Sequence, residues 1–567
     1  MKILNKYISL WTLSLLALIV VACQDELNKT PLDAPANTNF FSNESELELA
    51  INGVYTSLWW ESRGIPALQE IDNATDIGFL RDGPLKDVAT GAHNSDTGIF
   101  ESTWDHFYSG IAKANNLLQN MNRAQDVVSP NTFSRIQAEA RFLRAFFYHF
   151  LVELYGDVPL LTEVPTIDEA QIGRTPKAEV VNQIMSDLDF AAQNLPTSWS
   201  GDQVGRATQG AALALKARVA LYNGDYPTAA QAAQSVISSG VYSLYPDYEA
   251  QFQYEGIRSS GVIFDAPYKT GVQTSQYPIR AGTRMVGAWS TNVPSQALVD
   301  SYQATDGEPI DESNVYDPAQ PFENRDPRLD ASIVRPQSTF KGYVFETHPD
   351  STETWRIEDG QKVERVTNQD VTNPFASYTG LVWRKYLSPD DFPQKSFEST
   401  INWIFIRYAE VLLTYAEARI ESNNIDQSVL DALNQVRARA YGVDPSQTGQ
   451  YPEITTTSQA ELRREVRYER KVELANEGFR LFDIRRWGIA DEVMDGALIG
   501  RPRGTYSTIP SPPDIQEDVG YHPDYSANID LYRNVEPRTF DPERDWLWAI
   551  PQAEINVNDQ IQQNPGY

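Results

Sequence analysis

Glu469, Glu473 and Glu477 are spaced four residues apart, which puts three carboxylates on one face of a helix. Clustered carboxylates can move protons, as the paired acids of glycosidases do. The same stretch supplies Arg470, Arg480, Arg485 and Arg486, whose guanidinium groups fork onto carboxylates. Arg407, Glu410 and Glu417 repeat the theme upstream. Because the arginines nearly match the acids, the pattern reads as an ion-pair lattice pinning helices together and not as a catalytic cluster. Other chemistry is scarce. The five histidines (His93, His106, His149, His348 and His522) show no metal-ligand spacing. No glycine-rich phosphate loop precedes a helix, and there is no nucleophile elbow. Among 77 acidic residues some pair at glycosidase separation is nearly inevitable, so acid content alone says nothing about catalysis. No cofactor and no metal are expected.

Asp and Glu outnumber Lys and Arg by 77 to 47, a formal net charge of −30. That balance repels nucleic-acid phosphates and anionic lipid surfaces. Attachment to a membrane must then come from elsewhere, and Cys23, the sole cysteine, offers it. Lys2 and Lys6 lead into the mostly apolar run 7–22, which closes Val20-Val21-Ala22-Cys23. The run is short for a membrane span, and a cysteine at that junction resembles the lipobox of bacterial lipoproteins. Acyl chains there, at about 0.8 kcal/mol per buried CH₂, would make a lasting anchor. Gln24-Asp25-Glu26 resembles the surface-export signal of Bacteroidetes lipoproteins. The expected organisation is a signal peptide over 1–22, a lipidated flexible tether over 23–38 and a folded body over 39–567.

The body reads as mainly helical. Apolar residues recur at helical spacing over 42–58, 104–121, 134–155 and 177–195. The clearest unit is 211–239. Ala212, Leu215, Val219 and Tyr222 stripe one helix, Asn223-Gly224-Asp225 turns the chain, and Ala229, Ala230, Ala233 and Val236 stripe the next. This resembles one tetratricopeptide-like hairpin, with a second expected over 403–422 and 426–440. The helical scaffold is thus placed at about 39–58, 104–240 and 403–490. Periodicity fails over 59–103 and 242–402, which are expected to be variable, loop-rich, short-strand regions, and 488–567 to be a loop-rich closure.

The sequence Tyr468-Glu469-Arg470-Lys471-Val472-Glu473-Leu474-Ala475-Asn476-Glu477-Gly478-Phe479-Arg480 continues to Asp483-Ile484-Arg485-Arg486-Trp487-Gly488. It resembles the hallmark segment of the SusD/RagB family. Ala138-Glu139-Ala140-Arg141-Phe142-Leu143-Arg144-Ala145 with Tyr155-Gly156-Asp157-Val158-Pro159 is similar to another family stretch. So are Gly205-Arg206-Ala207-Thr208, Ile406-Arg407-Tyr408-Ala409-Glu410-Val411-Leu412-Leu413, Asn434-Gln435-Val436-Arg437 and the ending Asn564-Pro565-Gly566-Tyr567. These run in order along almost the whole body.

The resemblance implies a SusD-like fold: divergent tetratricopeptide-like hairpins plus a loop-rich, short-strand ligand-binding region. It implies a cell-surface lipoprotein of the outer membrane, facing the exterior. Such a protein captures an oligosaccharide or polysaccharide without catalysis and delivers it to a SusC-like TonB-dependent transporter. The RagB-like branch would instead bind oligopeptides, and a surface glycosidase is a third reading. Sugar recognition needs flat aromatic faces with a few fixed polar groups beside them. The non-periodic regions supply candidates. The first holds Trp60, Asp72, Asn73, Asp76 and Arg81, with Asp76 near the place of an acidic residue in the family. The second holds Tyr277, Trp289, Trp355 and Tyr378, with Arg280 and Arg284 nearby. Trp289, between Ala288 and Ser290 in polar sequence, is the foremost expected platform.

Overall fold

A computed structural model describes residues 40–166, 169 and 171–567; the expected signal peptide, the tether over 23–38 and Cys23 lie outside the described residues. The scaffold is built from helices α1 (Glu44–Tyr55), α2 (Gly98–Asn120), α3 (Pro130–Tyr155), α4 (Lys177–Asn194), α5 (Gln209–Tyr222) and α6 (Tyr226–Ser238). It continues through α7 (Tyr408–Glu421), α8 (Gln427–Ala440), α9 (Gln459–Glu473) and α10 (Arg480–Arg486). Side-chain caps start many of them. Asn43, Ser129, Thr208, Asp225, Asp426 and Ser458 each accept from a backbone N–H of the first turn.

Helices α2 to α6 pack each on the next, and α6 packs on α7, which also carries α8 and α9. Small residues set the spacing. Ala211, Ala212, Ala214 and Ala217 of α5 are buried, as are Ala229, Ala230 and Ala233 of α6, so the hairpin closes tightly. Hairpins α5–α6 and α7–α8 are the two expected from the sequence. The architecture is mainly α, with short scattered strands between the helical parts.

One expectation needs correction. The stretch 403–422 is not one helix: Trp403–Arg407 is a strand, paired antiparallel with Val262–Ala266, and α7 starts only at Tyr408. All five strand residues are buried, which suits a β-branched and aromatic run and hides any alternation. The region 59–103 is irregular, with short strands Glu61–Ser62, Ile65–Pro66 and Gly78–Leu80, yet much of it lies inside the body. Its short helix Ala67–Asn73 is buried at every residue, and strand Gly78–Leu80 is buried as well.

The ion-pair lattice is present. Glu473 accepts from Arg407 at 2.6 Å and from Arg328 at 3.1 Å, and it also pairs with Arg439. Glu469 accepts from Arg328 and Arg437, and Glu477 from Arg407 and Lys385. Glu417 takes both terminal nitrogens of Arg486 and the indole N–H of Trp487. All these carboxylates are buried. Burial works against their charge, but the surrounding guanidinium groups outweigh it and hold Glu473 and Glu417 well below the usual carboxylate range. Among the described residues, no group of three or more His, Cys, Asp or Glu is arranged to hold a metal ion. None of the described helices is long and apolar enough to cross a membrane.

Candidate functional site

Strand Gly78–Leu80 pairs antiparallel with Asn292–Pro294, Leu80 opposite Asn292. That register carries the chain ends on either side together: Arg81 N–H donates to the Thr291 carbonyl at 2.9 Å. The Arg81 guanidinium then reaches the Trp289 carbonyl at 3.1 Å and the Phe375 carbonyl at 2.9 Å. The turn bearing Trp289 is pinned on its other side. Trp289 N–H donates to the Ile279 carbonyl at 2.7 Å, and the Ser290 hydroxyl to the Gly282 carbonyl at 2.9 Å. Ser290 holds a φ of 49°, a left-handed backbone uncommon for residues other than glycine, asparagine and aspartate.

Around this turn lies an open aromatic ridge. The half-buried Trp289 ring meets Phe397 edge to face at 5.6 Å. Phe375 is 54% exposed, Phe397 48% and Tyr378 40%. These are large apolar faces left in water, where the other aromatic rings of the described residues are buried or half-buried. Arg280 lies 5.5 Å from the Trp289 centroid, and Arg81 and Arg284 lie 5.3 and 6.0 Å from that of Phe375. Arg284 further donates to the carbonyls of Phe375 and Ala288 and to Asn373. Burial, then the like charge of Arg81, depresses its guanidinium; burial and Arg63 do the same to Arg280. Tyr378 packs on the buried Phe79 at 5.7 Å, the rings tilted by 34°, and lines a cavity of about 540 Å³. Asp370, Asn373, Arg503, Arg533 and Asn534 are among its walls.

Of the residues expected at the site, Trp289, Arg81 and Tyr378 come together here. Trp355 lies elsewhere, on the hairpin Glu353–Glu358 and Gln361–Thr367, its ring flanked by Arg365 and Lys362. The other five are corrected by burial. Asp76 forks onto Arg480 through two 2.8 Å bonds and lies 3.6 Å from Lys471. Asp72 accepts the backbone N–H groups of Gly478 and Arg480 at 2.8 and 3.0 Å; burial lifts its carboxyl to about 7 even so. Asn73 is bonded to the Gln69 carbonyl and the Trp383 indole, and Tyr277 accepts from Asn476. Trp60 packs against Phe107 and Phe150 at 4.7 and 5.5 Å. All five are buried and turned to structural work. The sequence reading missed Phe375 and Phe397. Each is a lone aromatic in a polar, non-periodic segment (Asn373-Pro374-Phe375 and Lys395-Ser396-Phe397-Glu398), the same signal that marked Trp289.

Stacked helical hairpins carrying a short-strand face define a recognisable class of scaffold. Residues 249–567 match the profile of the SusD family, and the chain belongs to that family. Residues 34–221 match a second profile, described as starch-binding associating with outer membrane. The chain is 28% identical to SusD-like protein P2 of Formosa agariphila, over 98% of this chain and 99% of that one. A SusD-like carbohydrate binding protein from Bacteroides fragilis superposes with a TM-score of 0.79 at 28% identity, covering 92% of this chain and all of that one. Surface glycan-binding protein A from Bacteroides thetaiotaomicron, solved with laminarihexaose, shares the fold with a TM-score of 0.66 at 19% identity, over 92% and 99% of the two chains.

Proposed function

We propose that this protein is a glycan-binding lipoprotein of the outer membrane, tethered through Cys23, that captures an oligo- or polysaccharide at the cell surface and passes it uncut to a SusC-like TonB-dependent transporter. The observation that carries this reading is the open ridge of Trp289, Phe397 and Phe375 with arginines fixed beside it. Flat rings meet the C–H faces of pyranoses, and the neighbouring polar groups take the hydroxyls. The carbohydrate-binding relative from B. fragilis supports the same ligand class. Binding without cleavage accords with where the acids are. The motif carboxylates are buried in ion pairs, Asp82 beside the ridge pairs with Arg63, and Asp370 accepts the Arg284 backbone N–H at 2.6 Å. The test is calorimetry of the purified protein against a panel of polysaccharides and oligosaccharides, followed by chromatography of the ligand after long incubation. Saturable binding with the glycan recovered intact is expected. Shortened products, or binding of peptides in place of glycans, would overturn the reading.

A further inference from the structure

The cavity that continues the ridge beyond Tyr378 departs from the charge balance of the rest of the molecule. Acids outnumber bases by 77 to 47 in the chain, yet this wall carries two arginines, Arg503 and Arg533, and one acid, Asp370. Among the described residues, neither arginine has a carboxylate partner within salt-bridge distance. Arg503 donates its Nε to the Tyr532 carbonyl at 2.8 Å, and Arg533 one terminal nitrogen to the Thr347 carbonyl at 3.1 Å. A guanidinium has five N–H donors, so most of the fork on each remains available. Arg501, on the adjoining strand Gly496–Pro502, is close enough to repel Arg533, although its own charge faces Glu346 at 3.6 Å. Burial, together with repulsion from Arg501 and Arg503, lowers Arg533 to about 10. An anion placed between these groups would relieve that repulsion.

The acid in the wall does not cancel them. Asp370 is almost fully buried, its Oδ1 accepts the Arg284 N–H, and its Oδ2 has no hydrogen-bond partner. Burial raises this carboxyl to about 7, so at neutral pH it carries less than a full negative charge to set against the two guanidinium groups. A second cavity, of about 500 Å³, contrasts with this one. Of its arginines, Arg335 is bound to Asp330 at 2.6 Å and Arg501 lies 3.6 Å from Glu346. Paired arginines serve structure, and two unpaired ones facing a shared cavity are arranged for a ligand that brings its own negative charge.

We propose that the cavity bounded by Tyr378, Asn373, Asp370, Arg503 and Arg533 is a subsite for an anionic substituent, a carboxylate or a sulfate ester, and that the captured glycan is therefore acidic. The proposal rests on the glycan-binding reading and narrows it: the ridge takes the pyranose faces, and the two guanidinium groups take the charge. The probes are a galacturonate hexamer with its carboxyl-reduced counterpart, and a sulfated galactan hexasaccharide with its desulfated counterpart. They are titrated calorimetrically into the wild-type protein and the R503Q/R533Q variant. One charged probe is expected to bind better than its neutral counterpart, with the difference shrinking at high salt. In the variant the charged probe should lose about tenfold or more in affinity, while the neutral counterpart changes by less than about twofold. The neutral probe thereby reports that the variant is folded, and the R503K/R533K variant should restore part of the loss. The pair that responds tells carboxylate from sulfate. Tight neutral binding with no preference for charge, or charged binding untouched by R503Q/R533Q, overturns the subsite and leaves the glycan reading standing. Failure of every glycan, or binding of an acidic peptide in their place, overturns both.

Discussion

The Arg81 guanidinium donates to the backbone carbonyl of Trp289 at 3.1 Å, across 208 positions of sequence. The contact follows from strand register, because Leu80 opposite Asn292 leaves Arg81 and Trp289 on facing chain ends. Arg81 is thus a positioning residue for the ridge. Arg81→Ala should weaken glycan binding several-fold while costing only about 1–2 kcal/mol of stability, the worth of one or two hydrogen bonds. Calorimetry and urea denaturation on the same preparation separate the two effects. Affinity equal to wild type would show that the Trp289 turn holds itself.

Trp289 and Trp60 should behave oppositely. Trp289→Ala should cost about 2 kcal/mol or more in binding, as central aromatic anchors do, with little change in melting temperature. Trp60→Ala should leave the affinity of the folded fraction alone and destabilise by about 3–5 kcal/mol, because its ring fills the core between Phe107 and Phe150. An affinity loss in the Trp60 variant with an unchanged melt would return that residue to the site.

Asp76→Ala removes the carboxylate that Arg480 and Lys471 share, leaving the buried guanidinium and the buried amine, which burial and Arg480 already push down to about 7, without it. A loss of about 3–5 kcal/mol is expected in urea denaturation. Replacing Arg480 as well should recover part of it, since the double variant buries one charge fewer. If the single variant melted like wild type but bound glycan weakly, Asp76 would be a ligand residue after all.

The lattice carboxylates set a pH dependence. Arg486 and Arg470 hold Glu417 at about 2, against 4.5 for a free glutamate, despite the opposing effect of burial. Its folded value is depressed, so its contribution is complete above about 4.5 and disappears as pH falls towards 2. Glu473, surrounded by Arg439, Arg407 and Arg328, is shifted in the same direction. Stability should therefore fall steeply on acidification below about 4.5, and Glu417→Gln should flatten part of that slope. A melting temperature that stayed level from neutral pH down to 3 would refute this assignment.

Much of the scaffold was legible because it rests on local rules. Helical stripes, capping residues and the Asn223-Gly224-Asp225 turn are all set by neighbours in sequence. The lattice was legible too, since matched Arg and Glu on helices have few other uses. Buried pairing partners hundreds of residues away were not. Asp72, Asn73 and Asp76 look like exposed polar residues in an irregular stretch, and their partners Gly478, Trp383 and Arg480 lie beyond any local pattern. Trp403–Arg407 looked helical because a strand buried on both faces loses its alternation. Arg503 and Arg533 gave no signal at all, because the lack of a carboxylate partner exists only in three dimensions.

The bonds from Gly478 and Arg480 to Asp72 span 406 and 408 positions. A chain made from its N-terminus brings out Asp72 of the short helix, and Asp76 just after it, early, and their partners only after most of the remaining length has followed. Until then these two acids lack the partners with which the finished protein buries them. A protein wired in this way completes its middle only when distant parts of its sequence are both in hand.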